Sequence, residues 1–389
     1  MDRTAIDDLL LLTLAPGLGP TLTARCLAAM GSAQAVVSAT QAELAQVQGI
    51  GTHRAQAIRA AISQLQTSGA VEREKEAIAR AGVTLLTLED PDYPKLLRLI
   101  SDAPPVLYVR GQLLASDNLS LAVVGSRRCS AYGREQADRF AAGAAQAGLC
   151  VISGGALGID TAAHHAALRA AGRTIAVIGS GLNNPYPSEN HALFDRIADS
   201  GAGAVLSELP MSAPPRPENF PSRNRIVSGL ALGVLVIEAA LRSGALITAR
   251  LAAEDHSRDV LAVPGRVDAA TSAGCHKIIR EGWATLVTSV TDVLDALGDA
   301  GQLLKAGIEQ SPTTRNSPSS EQKASLFAAT QTDAQKSVLE ALTEPLDVDQ
   351  LADKTGLPIH VLQAELTLLQ VRGSVGKSGA AYFRRRAEG

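Results

Sequence analysis

The chain has 389 residues, too many for one ordinary compact domain, so two or three domains are predicted. Hydrophobic residues make up 46% and charged residues 19% of the chain, a balance that argues against global disorder. Because the formal net charge is −3 and aromatic residues make up 3%, phosphate binding would require a local basic patch or backbone amides, and base stacking would use single aromatic residues.

No feature of export or membrane insertion is found. The four cysteines are widely spaced and form no CxxC pair, which is typical of reduced thiols. The first apolar run, residues 9–12, follows two aspartates rather than a basic stretch, unlike a signal peptide. The longest apolar segment, residues 229–241, is too short to span a bilayer and contains Glu238. A soluble cytoplasmic protein without a membrane partner is therefore predicted.

Residues 1–80 are predicted to form a helical domain with two glycine-containing breaks, at 16–20 and 49–51. The second break predicts a helix-hairpin-helix, whose Gly-Ile-Gly turn can present amides to a phosphate. The same turn occurs in SAM-like modules that pack only against protein. Because Arg54 and Arg59 are the only basic residues nearby, the structural role is favoured.

Residues 82–298 alternate short apolar runs with Ala-rich amphipathic stretches. This pattern predicts an α/β fold, an extended Rossmann-like parallel sheet with helices on both faces. Ligands of such sheets bind beyond the carboxyl ends of the strands. Strands are predicted at 121–124, 150–153, 174–178, 205–207, 234–237 and 260–263, with helices at 132–147, 161–171, 192–199 and 246–255.

Small residues follow five of these predicted strands. Glycine lets a phosphate approach the backbone, amides at a helix start donate to it, and Ser or Arg side chains add contacts. A tight βα turn explains any one such loop equally well, but five of them favour an anionic ligand. The loops contain Gly125-Ser126-Arg127, Gly154-Gly155 with Gly158, Gly179-Ser180-Gly181, Ser243-Gly244 and Pro264-Gly265.

A charged segment, residues 220–225, precedes an apolar helix predicted to begin near Ile226. Its Arg223 and Arg225, which flank Asn224, are placed to bind consecutive phosphates. Alternatively, one arginine pairs with a carboxylate such as Glu238 and holds the loop. The two interpretations are compatible.

No catalytic or cofactor motif is complete. The run 373–378 lacks the first glycine of a P-loop, and Asn184 replaces the third glycine of a dinucleotide fingerprint. Asp160 and His164, four residues apart on a predicted helix, offer half of a metal site, but a helix cap and a packed histidine are favoured. No catalytic residue, cofactor or metal is therefore predicted.

Taken together, the motifs resemble the DprA/Smf family. The resemblance implies a homodimer that binds single-stranded DNA without sequence specificity and loads a RecA-type recombinase during natural transformation. It also admits single-stranded-DNA-binding protein as a partner. The motifs that carry it span most of residues 85–290: Ala122-Val123-Val124-Gly125-Ser126-Arg127, Ser153-Gly154-Gly155-Ala156-Leu157-Gly158-Ile159-Asp160, Phe220-Pro221 with Arg223-Asn224-Arg225-Ile226, Glu238-Ala239, Ser243-Gly244-Ala245-Leu246 with Thr248-Ala249, and Val263-Pro264-Gly265.

On this resemblance, one wall of a DNA pocket is formed by the Gly125 loop and another by the segment around Arg223. The rival interpretation is a nucleotide-binding or nucleotide-hydrolysing enzyme of a related Rossmann-like fold, with Glu238 or Asp160 as its acid. The predicted DNA-binding residues are Gly125, Ser126, Arg127, Ser153, Gly154, Gly155, Gly158, Phe220, Arg223, Asn224, Arg225, Ser243, Gly244 and Thr248.

Residues 299–332, which are rich in Ser, Thr and Pro, are predicted to be a flexible linker. Residues 333–389 predict a winged helix, with helices at 333–342, 348–355 and 358–371 and a hairpin through 377–379. Its seven Lys and Arg against eight Asp and Glu give a charge of −1, which weakens a transcription-factor interpretation. The recognition helix offers His360, Gln363 and Gln370 beside an acidic Glu365. A protein-contact role is therefore favoured, with residues 384–386 as the only basic cluster.

Overall fold

The computed structural model describes residues 3–309, 333–371, 374–378 and 381–384. Its contacts divide the chain into two compact units, residues 1–288 and 289–389. The first unit contains the predicted helical region together with the sheet. The second contains the winged helix. The predicted domain boundaries at residues 80 and 298 stay predictions.

Six helices form the amino-terminal region, and both predicted glycine breaks fall between helices. Thr40 and Glu43 form a capping box at the start of the fourth helix, which fixes where that helix begins. The apolar core of this region continues into one face of the sheet, where it reaches Tyr108 and Ile178. The helices are α1 (Arg3–Leu14), α2 (Pro20–Met30), α3 (Ala33–Ser38), α4 (Gln41–Gln46), α5 (Thr52–Thr67) and α6 (Ala70–Arg80).

One nine-stranded sheet, in the order β1-β2-β6-β5-β4-β3-β7-β8-β9, forms the centre of the first unit. Strands β1 and β2 are antiparallel additions at one edge, and the other neighbours are parallel. The predicted parallel sheet and its six strands are confirmed. The strands are β1 (Thr84–Thr87), β2 (Val106–Gly111), β3 (Ser120–Val124), β4 (Cys150–Ser153), β5 (Thr174–Val177), β6 (Gly203–Ser207), β7 (Gly233–Val236), β8 (Asp259–Ala262) and β9 (Thr285–Leu286).

Helices connect the parallel strands and cover both faces of the sheet. The predicted boundary at Ile226 is wrong, because residues 220–225 already lie within the first turns of a helix. Pro221 is compatible with this position, since the first turn of a helix does not need the proline N–H. The helices are α7 (Lys95–Arg98), α8 (Ala131–Gln146), α9 (Ile159–Arg169), α10 (His191–Asp199), α11 (Asn219–Leu230), α12 (Gly244–Arg250), which continues as a π-helical turn (Leu251–Asp255), and α13 (Ala273–Arg280).

The strand order reverses direction next to β3. From β3 the chain proceeds through β4, β5 and β6 on one side, then returns to place β7 on the other side of β3. At such a switch point the loops after the two flanking strands lead away from each other and leave a crevice. The fold therefore places a crevice beyond the carboxyl ends of β3, β4 and β7.

The second unit has the three helices and the hairpin predicted for a winged helix. The first part of the predicted linker is helical instead, because Ala300 and Leu304 are buried in this unit; residues 310–332 lie outside the described residues. Gly379, Arg385 and Arg386 also lie outside them. The elements are α14 (Val290–Ala296), α15 (Gly298–Glu309), α16 (Asp333–Ala341), α17 (Val348–Thr355), α18 (Ile359–Val371), β10 (Val375–Ser378) and β11 (Ala381–Arg384).

Among the helices that the structure describes, none combines the length and the apolar character needed to cross a bilayer.

Candidate functional site

A cleft of about 670 Å³ opens at the switch point, beyond the carboxyl ends of β3, β4 and β7. Its walls are the loops that follow these strands and the first turns of α11 and α12. The topology therefore brings together segments that are far apart in the sequence. The predicted residues that line the cleft are Gly125, Ser126, Arg127, Gly154, Phe220, Arg223, Asn224, Ser243, Gly244 and Thr248.

One wall is a short loop, residues 126–130, which we call the arginine loop. At its start, the Ser126 amide donates to the backbone oxygen of Glu238 at 2.7 Å. At its end, the Ser130 amide donates to Oε2 of Glu238 at 2.9 Å. Glu238, which is buried, thus holds both ends of the loop and leaves Arg127 and Arg128 between them.

Three arginines around the cleft are exposed and form no ion pair with any residue that the structure describes. Arg127 and Arg128 belong to the arginine loop, and Arg242 lies in the loop between β7 and α12. A cleft lined by cations whose charge is not neutralised attracts phosphate groups. Of the three, only Arg127 was predicted from the sequence as a DNA-binding residue, although all three lie in loops at strand ends.

Two aromatic rings lie beside these arginines. The guanidinium carbon of Arg127 is 5.1 Å from the ring centroid of Phe220, a distance typical of a cation–π contact. The Phe220 ring in turn lies 5.6 Å from the ring of Tyr186, at an angle of 48°. Tyr186 was missed because it lies in a long loop after β5, and only the fold brings it to the cleft.

Arg223 lines the cleft but is almost completely buried, with 4% of its surface exposed. Its Nη1 donates to the backbone oxygens of Gly154 and Val177, so it ties together the ends of β4 and β5. Burial lowers the pKa of its guanidinium to about 10, although nearby Asp160 opposes this shift. These hydrogen bonds hold the two strand ends together.

Arg225 does not line the cleft, so the prediction that it binds a phosphate there is wrong. It is buried and pairs with Oε2 of Glu208 at 2.6 Å and with Asp102 at 3.0 Å. The physical reason is helical geometry, because α11 turns residue 225 towards the core while residue 224 faces the cleft. An arginine–carboxylate pair is present as the alternative expected, but its partner is not Glu238.

Three predicted residues shape the β4 loop without lining the cleft. Ser153 is buried and donates to the Val123 oxygen at 2.6 Å. Gly155 and Gly158 have positive φ angles of 65° and 87°, which favour glycine. A Cβ on Gly158 would also collide with the backbone oxygens of the arginine loop. These glycines allow close backbone packing instead of exposing amides to a ligand.

The glycine-containing turns directly after β5, residues 179–181, and after β8, residues 264–265, do not line the cleft. Gly179 packs against Phe220, and the hydroxyl of Ser180 is buried. After β8, the Tyr132 hydroxyl donates to the Pro264 oxygen at 2.7 Å. The expectation of an anionic ligand therefore applies to three of the five glycine-containing loops, and the other two are explained by chain geometry.

His164 is packed in the core as expected, but Asp160 does not cap α9, because the N-cap position is Gly158 and no side chain caps it. Oδ2 of Asp160 accepts from the Ala156 amide at 3.3 Å, and burial raises the pKa of its carboxyl. Nδ1 of His164 lies 2.7 Å from the hydroxyl of Thr174, and burial lowers the pKa of the imidazole to about 3. Across the described part of the chain, no three His, Cys, Asp or Glu side chains are grouped to hold a metal.

Two family models match this chain. One, described as DNA recombination-mediator protein A, matches residues 84–298. The other, described as the DprA winged helix domain, matches residues 318–378. Together they cover the cleft and most of the carboxyl-terminal unit.

Two relatives are similar over at least half of this chain and over most of their own length. Protein Smf of Escherichia coli is 38% identical over 306 residues, which cover 78% of this chain and 77% of that protein. DNA processing protein DprA of Streptococcus pneumoniae is 47% identical over 205 residues, covering 53% and 71% of the two chains. These similarities extend well beyond the glycine motifs.

Two solved structures share the fold. The X-ray structure of DNA processing protein A from Streptococcus pneumoniae has a TM-score of 0.63 at 35% identity, covering 74% of this chain and 97% of that one. The protein from Helicobacter pylori, described for its single-stranded DNA binding mode, has a TM-score of 0.50 at 30% identity. It covers 57% of this chain and 97% of its own.

Proposed function

Since this chain belongs to the DprA/Smf family of DNA recombination-mediator proteins, we propose that it binds single-stranded DNA in the cleft at the switch point. The observation that carries the proposal is the set of three exposed arginines that line the cleft and form no ion pair with any of the described residues. Cations free of ion pairs are available to phosphates. The Helicobacter pylori relative, described for its single-stranded DNA binding mode, supports the same ligand.

An unpaired strand fits this cleft better than a duplex does. Beside the arginines, Phe220 offers an aromatic ring, and only an unpaired strand can present the face of a base to such a ring. Both phosphate contacts and stacking tolerate any base. The proposed binding is therefore independent of sequence.

The DNA-bound protein would then help to load a RecA-type recombinase during natural transformation. The support is the family's description as a recombination mediator, since a mediator delivers a strand to another protein. A homodimer, with single-stranded-DNA-binding protein as a further partner, belongs to the same proposal.

The cleft would act by binding and not by catalysis. The carboxylate of Glu238 is buried and holds the arginine loop, and Asp160 is buried beside Arg223. Neither acid is therefore free to attack a nucleotide. Release of free base from a nucleoside monophosphate by the purified chain, abolished by Glu238→Gln, would contradict this part of the proposal.

Fluorescence anisotropy with a labelled oligothymidylate and a duplex of equal length, each at two salt concentrations, tests the binding itself. We expect tighter binding to the single strand and a clear loss of affinity at higher salt. Arg127→Ala should weaken binding. Arg169→Ala is the matched control, because Arg169 is also exposed but pairs with Asp138 at the far end of α9. Equal affinities for parent and Arg127→Ala would contradict the assignment.

A further inference from the structure

The cleft has an exposed aromatic side chain that neither the core nor the arginine loop explains. The ring of Tyr186 stands in a Pro-Tyr-Pro sequence and is 44% exposed, although large aromatic side chains usually bury most of their surface. It lines the cleft. Its hydroxyl makes no hydrogen bond within the described residues.

The loop presents this ring in a fixed position. Prolines on both sides restrict the backbone. Pro185 accepts a hydrogen bond at its backbone oxygen from the His191 ring at 2.6 Å, and Pro187 accepts one from the Asn190 amide at 3.1 Å. Because the loop is already ordered, a ligand that stacks on Tyr186 would lose little conformational entropy.

The neighbouring groups form a series of planar surfaces. Arg127 lies against Phe220, and Phe220 lies against Tyr186, with separations of 5.1 and 5.6 Å. The rim of the cleft therefore carries a cation at one end of this series and an exposed ring at the other. A phosphate at the cation leaves the base of a nearby nucleotide within reach of the ring.

We propose that Tyr186 is a stacking site for a nucleobase of the bound strand, which makes it a DNA-binding residue in addition to the arginines. This inference rests on the proposed function. It adds a contact of a different kind, because the stacking energy does not depend on counterion release. The ligand group is the face of any base, so the site would not select a sequence.

The test compares an oligothymidylate with an abasic strand of the same length, using the parent chain, Tyr186→Ala, Tyr186→Phe and Arg127→Ala. We expect Tyr186→Ala to lose about tenfold in affinity for oligothymidylate, equally at both salt concentrations, and nothing for the abasic strand. Tyr186→Phe should stay within about twofold of the parent because it keeps the ring. Arg127→Ala should lower the affinity for both strands, and this loss of affinity should become smaller as the salt concentration rises.

Tyr132→Ala is the matched control, since Tyr132 has a similar exposed fraction of 42% but does not line the cleft. It should bind as the parent does. Unchanged affinity of Tyr186→Ala for oligothymidylate, or an equal loss for both strands, would overturn the inference while leaving the arginine site intact. A parent chain that binds neither strand would overturn the proposed function, and the stacking site with it.

Discussion

Replacing Arg225 by alanine should destabilise the protein and not primarily its DNA complex. Arg225 and Glu208 are both about 5% exposed and lie 2.6 Å apart. Removal of the arginine leaves the carboxylate of Glu208 buried without its cation, and breaking such a pair costs roughly 3–5 kcal/mol. For a protein with a total stability of about 5–15 kcal/mol, this is a large fraction.

Urea unfolding followed by tryptophan fluorescence measures this effect. Trp283 is the only tryptophan in the chain, and it packs against the core of the first unit, so its emission reports on the unit that contains the pair. With a urea dependence of about 2–3 kcal/mol/M, the midpoint should fall by about 1–2.5 M. Arg169→Ala, which breaks an exposed pair with Asp138, should change stability by about 1 kcal/mol at most.

The double variant Arg225→Met with Glu208→Met provides a second check. It should recover much of the lost stability, because it removes both charges and leaves no buried carboxylate unpaired. The reasoning fails if Arg225→Ala unfolds at the same urea concentration as the parent yet binds oligothymidylate more weakly. That result would restore Arg225 as a phosphate ligand and would show that burial does not set its role.

Three further predictions concern the cleft and the core. Arg128→Ala and Arg242→Ala should each lower the slope of log affinity against log salt by about 0.7 for a single strand, and unchanged slopes would remove these residues from the site. Gly158→Ala should destabilise the protein by about 1–3 kcal/mol and weaken DNA binding, measured by urea unfolding and anisotropy, since its Cβ would meet the Ser126 oxygen at a positive φ; parent-like behaviour in both assays would contradict this. Burial holds the pKa of His164 at about 3, below its ordinary 6.5, so the unfolded chain takes up the proton first as pH falls. Stability should therefore fall between pH 6.5 and 3 by up to about 1.4 kcal/mol per pH unit, a part of the pH dependence that His164→Asn should remove from urea midpoints.

The sequence predicted the parallel part of the sheet because strands buried on both faces read as continuous apolar runs. It missed β9, which has only two residues, both of them exposed. It also missed the antiparallel strands β1 and β2, because they are not part of the alternation of strands and helices that predicted the other strands. It also placed the start of α11 too late. Charged and polar residues occupy the first turns of this helix, so its apolar periodicity begins only at Ile226.

The sequence located three of the loops that line the cleft but not the direction of each side chain. Three consecutive residues of α11 point in different directions. Arg223 donates to backbone oxygens at the ends of β4 and β5, Asn224 faces the cleft, and Arg225 forms a buried ion pair. A motif read as one unit cannot reveal such a division. The contact between Tyr186 and Phe220 could not be predicted from the sequence either, since it joins a loop and a helix that only the fold brings together.

The local charge of the cleft follows from where its neighbouring carboxylates are used. Asp160, which lines the cleft, interacts first with the buried Arg223 and accepts from the Ala156 amide, and Glu238 accepts from the backbone of the arginine loop. These acids therefore do not neutralise the exposed arginines at the rim. A chain with a net charge of −3 can thus present a positive cleft, because its buried arginine and backbone amides engage the acids that would otherwise compete with phosphate.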